Sequence, residues 1–303
     1  MVGRRRDQEQ REQHELHELH EQHEQHEQRE PREKGTGNGT GRRVHRMWRV
    51  LGVLALAVTL VIGAVQTWAM AVQQRTESEK SYPVAVSKVV LDTGSATVRI
   101  SPGREGEVVV RQELDWMIRP PVISVLFDRG DLRVEMRCSQ VMPVAKLGCG
   151  AEIELEVPVG VSVEGTGSSG SLSVRGVTGE VRLDSTSGSI LLADLSGPVV
   201  AGTTSGAVKG AGLTSAAVEV RATSGSVDLS FAQAPRTVDI GATSGSVTLG
   251  LPRGSVYRFN GGTVSGSRHI DPLLADQSST NQVRVSVTSG SVTVLSSPGA
   301  SGG

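Results

Sequence analysis

Few residues in this sequence have the types and spacing that acid–base or nucleophilic catalysis requires. His269 is the only histidine after the apolar segment at 50–72, and Asp271 is too close to it in sequence to suggest a Ser-His-Asp arrangement. Glu219 and Asp239 occupy equivalent positions of neighbouring repeats, but no third acidic residue or aromatic side chain accompanies them. Glycoside cleavage uses paired carboxylates in a cleft. We therefore expect no catalytic residues and no enzymatic activity. Among the functions considered for this chain, a carbohydrate-active enzyme is the second alternative.

Sites for cofactors and metals are equally sparse. The sequence contains no phosphate-binding loop with Gly-Lys-Ser or Gly-Lys-Thr and no calcium-binding Gly-Gly-x-Gly-x-Asp repeat. Histidines do recur at every third position from His14 to His26, within a tail at 1–41 that is rich in glutamine and glutamate. Side chains that recur at every third position spiral around a helix instead of lining one face of it. We therefore predict a disordered, solvated tail. Weak zinc or nickel binding by histidine pairs is the alternative, and a translation start at Met47 would remove the tail altogether.

The only two cysteines are Cys138 and Cys149. Their spacing is not that of a Cys-x-x-Cys redox motif, so we predict one local structural disulfide formed in an oxidising compartment. Closing so small a loop contributes about 2–3 kcal/mol to stability.

An apolar run of 23 residues spans 50–72 and follows a basic flank at 42–49. As a helix this run is long enough to cross the hydrocarbon core of a bilayer, which is about 30 Å thick. The arginines precede it, which indicates a single-pass protein of the cell membrane with a cytoplasmic N-terminus and an extracellular C-terminal part. The alternative is secretion after cleavage near Ala71, because Ala69-Met70-Ala71 fits a signal-peptidase site. A polar stalk is expected at 73–83.

Strand patterns dominate the rest of the chain. Ala151 to Val157 alternates apolar and acidic residues, which is typical of a half-buried strand. We expect an N-terminal β region at 84–160 that contains the disulfide and caps the first repeat. A disordered tail is expected at 296–303.

A Thr-Ser-Gly-Ser motif recurs through residues 161–295, with an alternating strand on each side of its glycine. The intervals between marker glycines are 18, 18, 19, 20, 21 and 24 residues. A period near twenty predicts stacked coils, and we expect an all-β fold, a parallel β-solenoid resembling a β-helix. The structural corner glycines are Gly170, Gly188, Gly206, Gly225, Gly245, Gly266 and Gly290. The surrounding hydroxyls are expected to bond the backbone and stack in ladders; a row that recognises a ligand is the alternative.

The Thr-Ser-Gly-Ser-Val corners at 223–227, 243–247 and 288–292 resemble the putative-adhesin family of bacterial β-strand-repeat surface proteins, a domain of unknown function. The resemblance covers about residues 86–296. It implies a surface-exposed β-solenoid and transfers no catalytic or binding residue. The histidine-rich tail departs from the family's usual pattern.

These observations favour a membrane-anchored extracytoplasmic module, either a putative adhesin or a structural or interaction module of the bacterial cell envelope. An envelope-sensing or signalling protein is the alternative. The expected partners are the membrane and a cell-wall glycan or surface protein. Nucleic acid is not expected, because the net charge is −1 and only eight residues are aromatic. No small-molecule substrate is evident.

Overall fold

The computed structural model describes residues 51–64, 74–116, 120–138 and 149–297. The tail at 1–41, the basic flank at 42–49 and most of the C-terminal tail at 296–303 lie outside these ranges. The chain divides into two compact units, residues 1–66 and 67–303.

The described part of the first unit is a helix over residues 51–64. Among the described residues, no helix has both the length and the apolar character needed to span a membrane. The predicted transmembrane helix at 50–72 is therefore not found among these residues, and positions 50 and 65–72 of that prediction lie outside the described ranges.

The described part of the second unit is built from β-strands and one 3-10 helix at Pro272–Leu274. The strands are β1 (Gln74–Tyr82), β2 (Lys88–Asp92), β3 (Thr97–Pro102), β4 (Val108–Trp116), β5 (Val122–Asp128), β6 (Asp131–Arg137), β7 (Cys149–Val157), β8 (Ser162–Gly167), β9 (Leu172–Arg175), β10 (Val181–Ser185), β11 (Ile190–Ala193), β12 (Val199–Thr203), β13 (Ala207–Leu213), β14 (Ala217–Phe231), β15 (Thr237–Pro252), β16 (Arg258–Asn260), β17 (Thr263–Ile270) and β18 (Gln282–Ser297).

Parallel pairings arrange most strands in two ladders. Ladder A follows the order β6, β2, β8, β10, β12, β14, β15, β18 and β16. Ladder B follows the order β7, β3, β9, β11, β13, β14, β15, β18 and β17. The long strands β14, β15 and β18 belong to both ladders, because each runs through a Thr-Ser-Gly-Ser corner without interruption.

The predicted parallel β-solenoid is wrong, because the sheet is mixed. Antiparallel pairings join β1 to β4, β4 to β7, and β5 to β6. The layers also depart from sequence order at both ends. The layer of β2 and β3 lies between that of β6 and β7 and that of β8 and β9. Similarly, β18 lies between β15 and the pair β16 and β17.

The segment predicted as a polar stalk at 73–83 instead contains β1, which extends ladder B beyond β4. Its pairing with β4 covers all nine residues from Gln74 to Tyr82. Backbone hydrogen bonding therefore holds this segment in the sheet although its side chains are polar.

The core consists of the inward-facing residues of the two ladders, which alternate with outward polar ones as the sequence predicts. In β10, for example, Val181 and Leu183 are fully buried while Arg182 is exposed. Large and small residues alternate along the ladder: Leu183 lies between Gly165 of β8 and Ala201 of β12. This alternation lets neighbouring layers interdigitate at the density of a protein interior.

Candidate functional site

The seven predicted corner glycines lie in one column along the stack. Gly170 to Gly245 follow sequence order, then comes Gly290, and Gly266 is last. A Cβ atom on Gly188 would overlap the carbonyl oxygen of Gly170, and the same overlap recurs along the column. The backbones of neighbouring corners thus approach more closely than a side chain permits. This close approach is the physical reason why the motif requires glycine.

In two layers the residue three positions before the glycine bonds the backbone of the corner. Ser185 and Thr203 are buried, and their hydroxyls accept hydrogen bonds from the N–H groups of Gly188 and Gly206 at 3.0 and 2.9 Å. In these two layers the strands end at the corner. The equivalent residue of β14 is Ala222, which offers no hydroxyl, and there the strand continues through the corner.

A groove of about 710 Å³ runs beside the glycine column, across several strands of ladder A. We call it the threonine groove, because six threonines line it, among them the corner threonine of each of four successive layers. The four corner threonines are Thr186, Thr204, Thr223 and Thr243.

The four corner threonines are exposed, and their hydroxyls make no hydrogen bond to any other residue that the structure describes. Because neighbouring strands lie about 4.8 Å apart, the groove presents a regular row of hydroxyl groups. Each hydroxyl can donate one hydrogen bond and accept others. The row is therefore chemically suited to a polymer that itself carries regularly spaced hydroxyls.

Two charged residues, Asp184 and Arg221, also line the groove, and each extends across a glycine of the next strand. A Cβ atom on Gly202 would overlap Oδ1 of Asp184, and one on Gly241 would lie 3.2 Å from Cδ of Arg221. The two glycines thus make room for the two charged side chains.

The guanidinium of Arg221 lies between the carboxylates that the sequence suggested as neighbours. Glu219 and Asp239 are directly opposite each other in β14 and β15. Arg221 contacts Glu219 at 3.1 Å and Asp239 at 3.2 Å, and Arg284 lies 3.6 Å from Asp239. Two carboxylates held in ion pairs by arginines form a structural network, and the geometry of a catalytic acid–base pair is not formed here.

His269 and Asp271 lie at the end of β17 and in the following turn. Asp271 caps the 3-10 helix, accepting a hydrogen bond from the N–H of Leu273 at 3.0 Å. Hydrogen bonds from Ser296 and Leu273 lower the pKa of Asp271 below its usual value. This carboxylate therefore has a structural role in the turn.

Cys138 directly follows β6 and packs against the core, and Cys149 begins β7. The side chain of Cys149 and residues 139–148 lie outside the described part, so the disulfide between the two cysteines stays a prediction.

The roles of Asp184 and Arg221 were not predicted from the sequence. The signal that would have found them is a glycine at the equivalent position of the following repeat. Gly202 stands 18 residues after Asp184, and Gly241 stands 20 residues after Arg221.

Solved structures with a similar course of the chain come from several bacteria. A putative cell adhesion protein of Clostridium sporogenes is 14% identical with a TM-score of 0.31, and the match covers 74% of this chain and 100% of that one. A putative adhesin of Bacteroides fragilis is 14% identical with a TM-score of 0.43, covering 73% and 97%. A putative lipid binding protein of Parabacteroides distasonis is 12% identical with a TM-score of 0.37, covering 73% and 97%.

A search of curated proteins finds no significant match. The sequence profile described as Toastrack DUF4097 matches residues 123–295, which include β5 to β17 and most of β18. The matched segment contains the whole glycine column and the threonine groove. Because it makes up more than half of the chain, the protein belongs to the Toastrack DUF4097 family.

Proposed function

We propose that this protein is an adhesin-type interaction module of the bacterial cell envelope, and that its threonine groove binds a neutral, hydroxyl-rich glycan chain. The observation that carries the proposal is the row of four exposed threonine hydroxyls, from Thr186 to Thr243, that make no hydrogen bond to other described residues. A glycan presents donors and acceptors at repeated intervals, as this row does.

The charges around the groove favour a neutral ligand. Arg221 is held by Glu219 and Asp239, and Arg284 adds a second cation beside Asp239. Positive and negative groups alternate here, so neither a polyanion nor a polycation meets a surface of a single opposite sign.

Affinity at any one position is expected to be low. None of the described residues that line the groove is aromatic, so no ring is available to stack on a sugar face. Hydroxyl-to-hydroxyl hydrogen bonds exchange with water and contribute little individually. Binding therefore depends on several layers contacting one chain at once, which raises the effective affinity without any strong single contact.

We place the module outside the cytoplasm. The basic residues at 42–49 precede the apolar segment at 50–72, an order that is typical of exported chains. The predicted pairing of Cys138 with Cys149 is also typical of an oxidising compartment.

The experiment measures retention of the full-length chain, in mild detergent, on insoluble cell-wall glycan. Thr204→Val and Thr223→Val together remove two groove hydroxyls while keeping the side-chain shape and suiting a strand. The matched control carries Thr237→Val and Thr248→Val, two strand threonines outside the groove. We expect the groove variant to lose most of its retention and the control to keep it. Equal retention of the two variants would exclude the groove, and no retention of the unmodified chain would exclude the glycan.

A further inference from the structure

The two ladders end in four edge strands, and one of them differs from the others. Among the described residues, β5 pairs with β6 alone, and the side of β5 away from β6 has no strand partner. From Val122 to Phe127 the strand contains five apolar residues and one serine, with no charge. An uncharged apolar edge is a ready template for pairing with another strand.

The edges of ladder B carry several charged residues, whereas the only charge in β5 is Asp128 at its end. β1 contains Arg75, Glu77, Glu79 and Lys80. At the opposite end β17 contains Arg268 and His269, both exposed. Charged side chains on an edge oppose strand addition, so these two edges are protected and β5 is not.

β5 is held in an extended conformation that suits pairing. Its inward side chains Ile123, Val125 and Phe127 pack partly against the core, and the ring of Phe127 lies 4.8 Å from that of Tyr82. On the outward face Val122 is 61% exposed and Leu126 is 55% exposed. The strand therefore presents both unpaired backbone groups and apolar side chains to a partner.

We propose that β5 pairs antiparallel with β5 of a second copy of this chain, about a two-fold axis at Val125. In this register Val125 faces its own copy and Ile123 faces Phe127, so the inward-facing pairs are apolar on both strands, while Ser124 falls opposite Leu126. No charged residue opposes a charge of the same sign, because the only charged member, Asp128, falls opposite Val122. The strand is thus complementary to itself, as an isologous interface requires.

The size of the contact sets its strength. One pair of seven-residue strands buries less area than the roughly 1,200–2,000 Å² of stable complexes, so the dimer is weak and depends on concentration.

Sedimentation equilibrium of the full-length chain in mild detergent, between about 1 and 200 µM, tests the proposal. Leu126→Lys places one lysine from each copy diagonally across the β5–β5 pairing, within about 7–8 Å of each other, and leaves the core unchanged. Leu191→Lys is the matched control, because Leu191 is also exposed but β11 is paired on both sides. Val264→Lys tests the β17 edge in the same way.

We expect the unmodified chain to dimerise reversibly, Leu126→Lys to weaken the dimer at least tenfold, and the other two variants to match the unmodified chain. Circular dichroism confirms that each variant retains its strands. A chain that stays monomeric up to the highest concentration would overturn the proposal. So would a Leu126→Lys variant that dimerises as the unmodified chain does, or a dimer lost only with Val264→Lys.

Discussion

The carbonyl oxygen of Gly170 occupies the space in which Gly188 would carry its Cβ atom. The same relationship joins Gly188 to Gly206 and Gly206 to Gly225. A corner therefore fits against the preceding one only when it is itself glycine, so the repeated glycine is a requirement of backbone packing.

Replacing Gly206 with alanine tests this requirement. The added methyl group meets the Gly188 carbonyl, a backbone atom that cannot move without shifting a whole layer, so Gly206→Ala is expected to destabilise the fold by about 3 kcal/mol. Urea unfolding measures the loss. The control is Gly250→Ala, whose Cβ would find its nearest atoms at 3.5 Å and is expected to cost less than about 1 kcal/mol. Equal effects of the two substitutions would contradict the account.

The pairing of Leu183 with Gly165 predicts a coupled pair in the core. Leu183→Ala removes a fully buried side chain and is expected to cost about 2–5 kcal/mol. Gly165→Ala is expected to destabilise as well, because its Cβ would lie 2.9 Å from Cδ2 of Leu183. The double variant relieves that clash, so it should be less destabilised than the sum of the single variants. Additivity within about 0.5 kcal/mol would show that the two sites do not interact.

The ion pair between Lys88 of β2 and Glu164 of β8 predicts a pH dependence. Nζ lies 2.7 Å from Oε2, and this hydrogen bond lowers the pKa of Glu164 and raises the pKa of Lys88. The stabilisation is present above the ordinary glutamate pKa of 4.5 and is lost as the pH falls through the lowered value. On the alkaline side it is present below 10.5 and is lost as the pH rises through the raised lysine pKa.

The acidic part of this pH dependence is tested by an NMR titration that measures the pKa of Glu164. Lys88→Gln should raise the pKa of Glu164, whereas Lys209→Gln, at an exposed lysine of β13, should leave it unchanged. Because both partners are exposed, the associated change in unfolding free energy is expected to be small. An unchanged Glu164 titration in the Lys88 variant would contradict the assignment.

The predicted disulfide is tested by alkylation of the unfolded chain. Iodoacetamide should modify neither Cys138 nor Cys149 before reduction and both of them afterwards. Reduction should lower the unfolding free energy by about 2–3 kcal/mol, because a short loop is released. Modification of both cysteines without prior reduction would show that they are free thiols.

The repeats were the predictable part of the fold, because alternation and a corner glycine are both visible in the sequence. The order in which the layers stack could not be predicted from the sequence. The Val-Thr-Ser-Gly-Ser corner of β18 matches that of β15, and its valines at 285, 287, 292 and 294 are buried. The looser copy around Gly266 has exposed Arg268 and His269 in the equivalent strand, so it lies at the edge and β18 takes the inner place.

Two strands were not predicted from the sequence, for opposite reasons. The run from Val122 to Phe127 is apolar almost throughout and shows no alternation, and β1 is polar from Gln74 to Ser81, so neither has the pattern of a half-buried strand. Both lie at sheet edges, where the core reaches one face at most. The threonine row of the groove was visible in the sequence, because each of its threonines precedes the Ser-Gly of a corner motif, but the positions of Asp184 and Arg221 beside it were not.

The most direct test of the proposed function is a methyl NMR titration of the full-length chain with soluble fragments of cell-wall glycan. The account predicts that the methyl signals of Thr186, Thr204, Thr223 and Thr243 shift together, and that those of Thr237 and Thr248 do not. Shifts confined to threonines outside the groove, or none at saturating glycan, would contradict it.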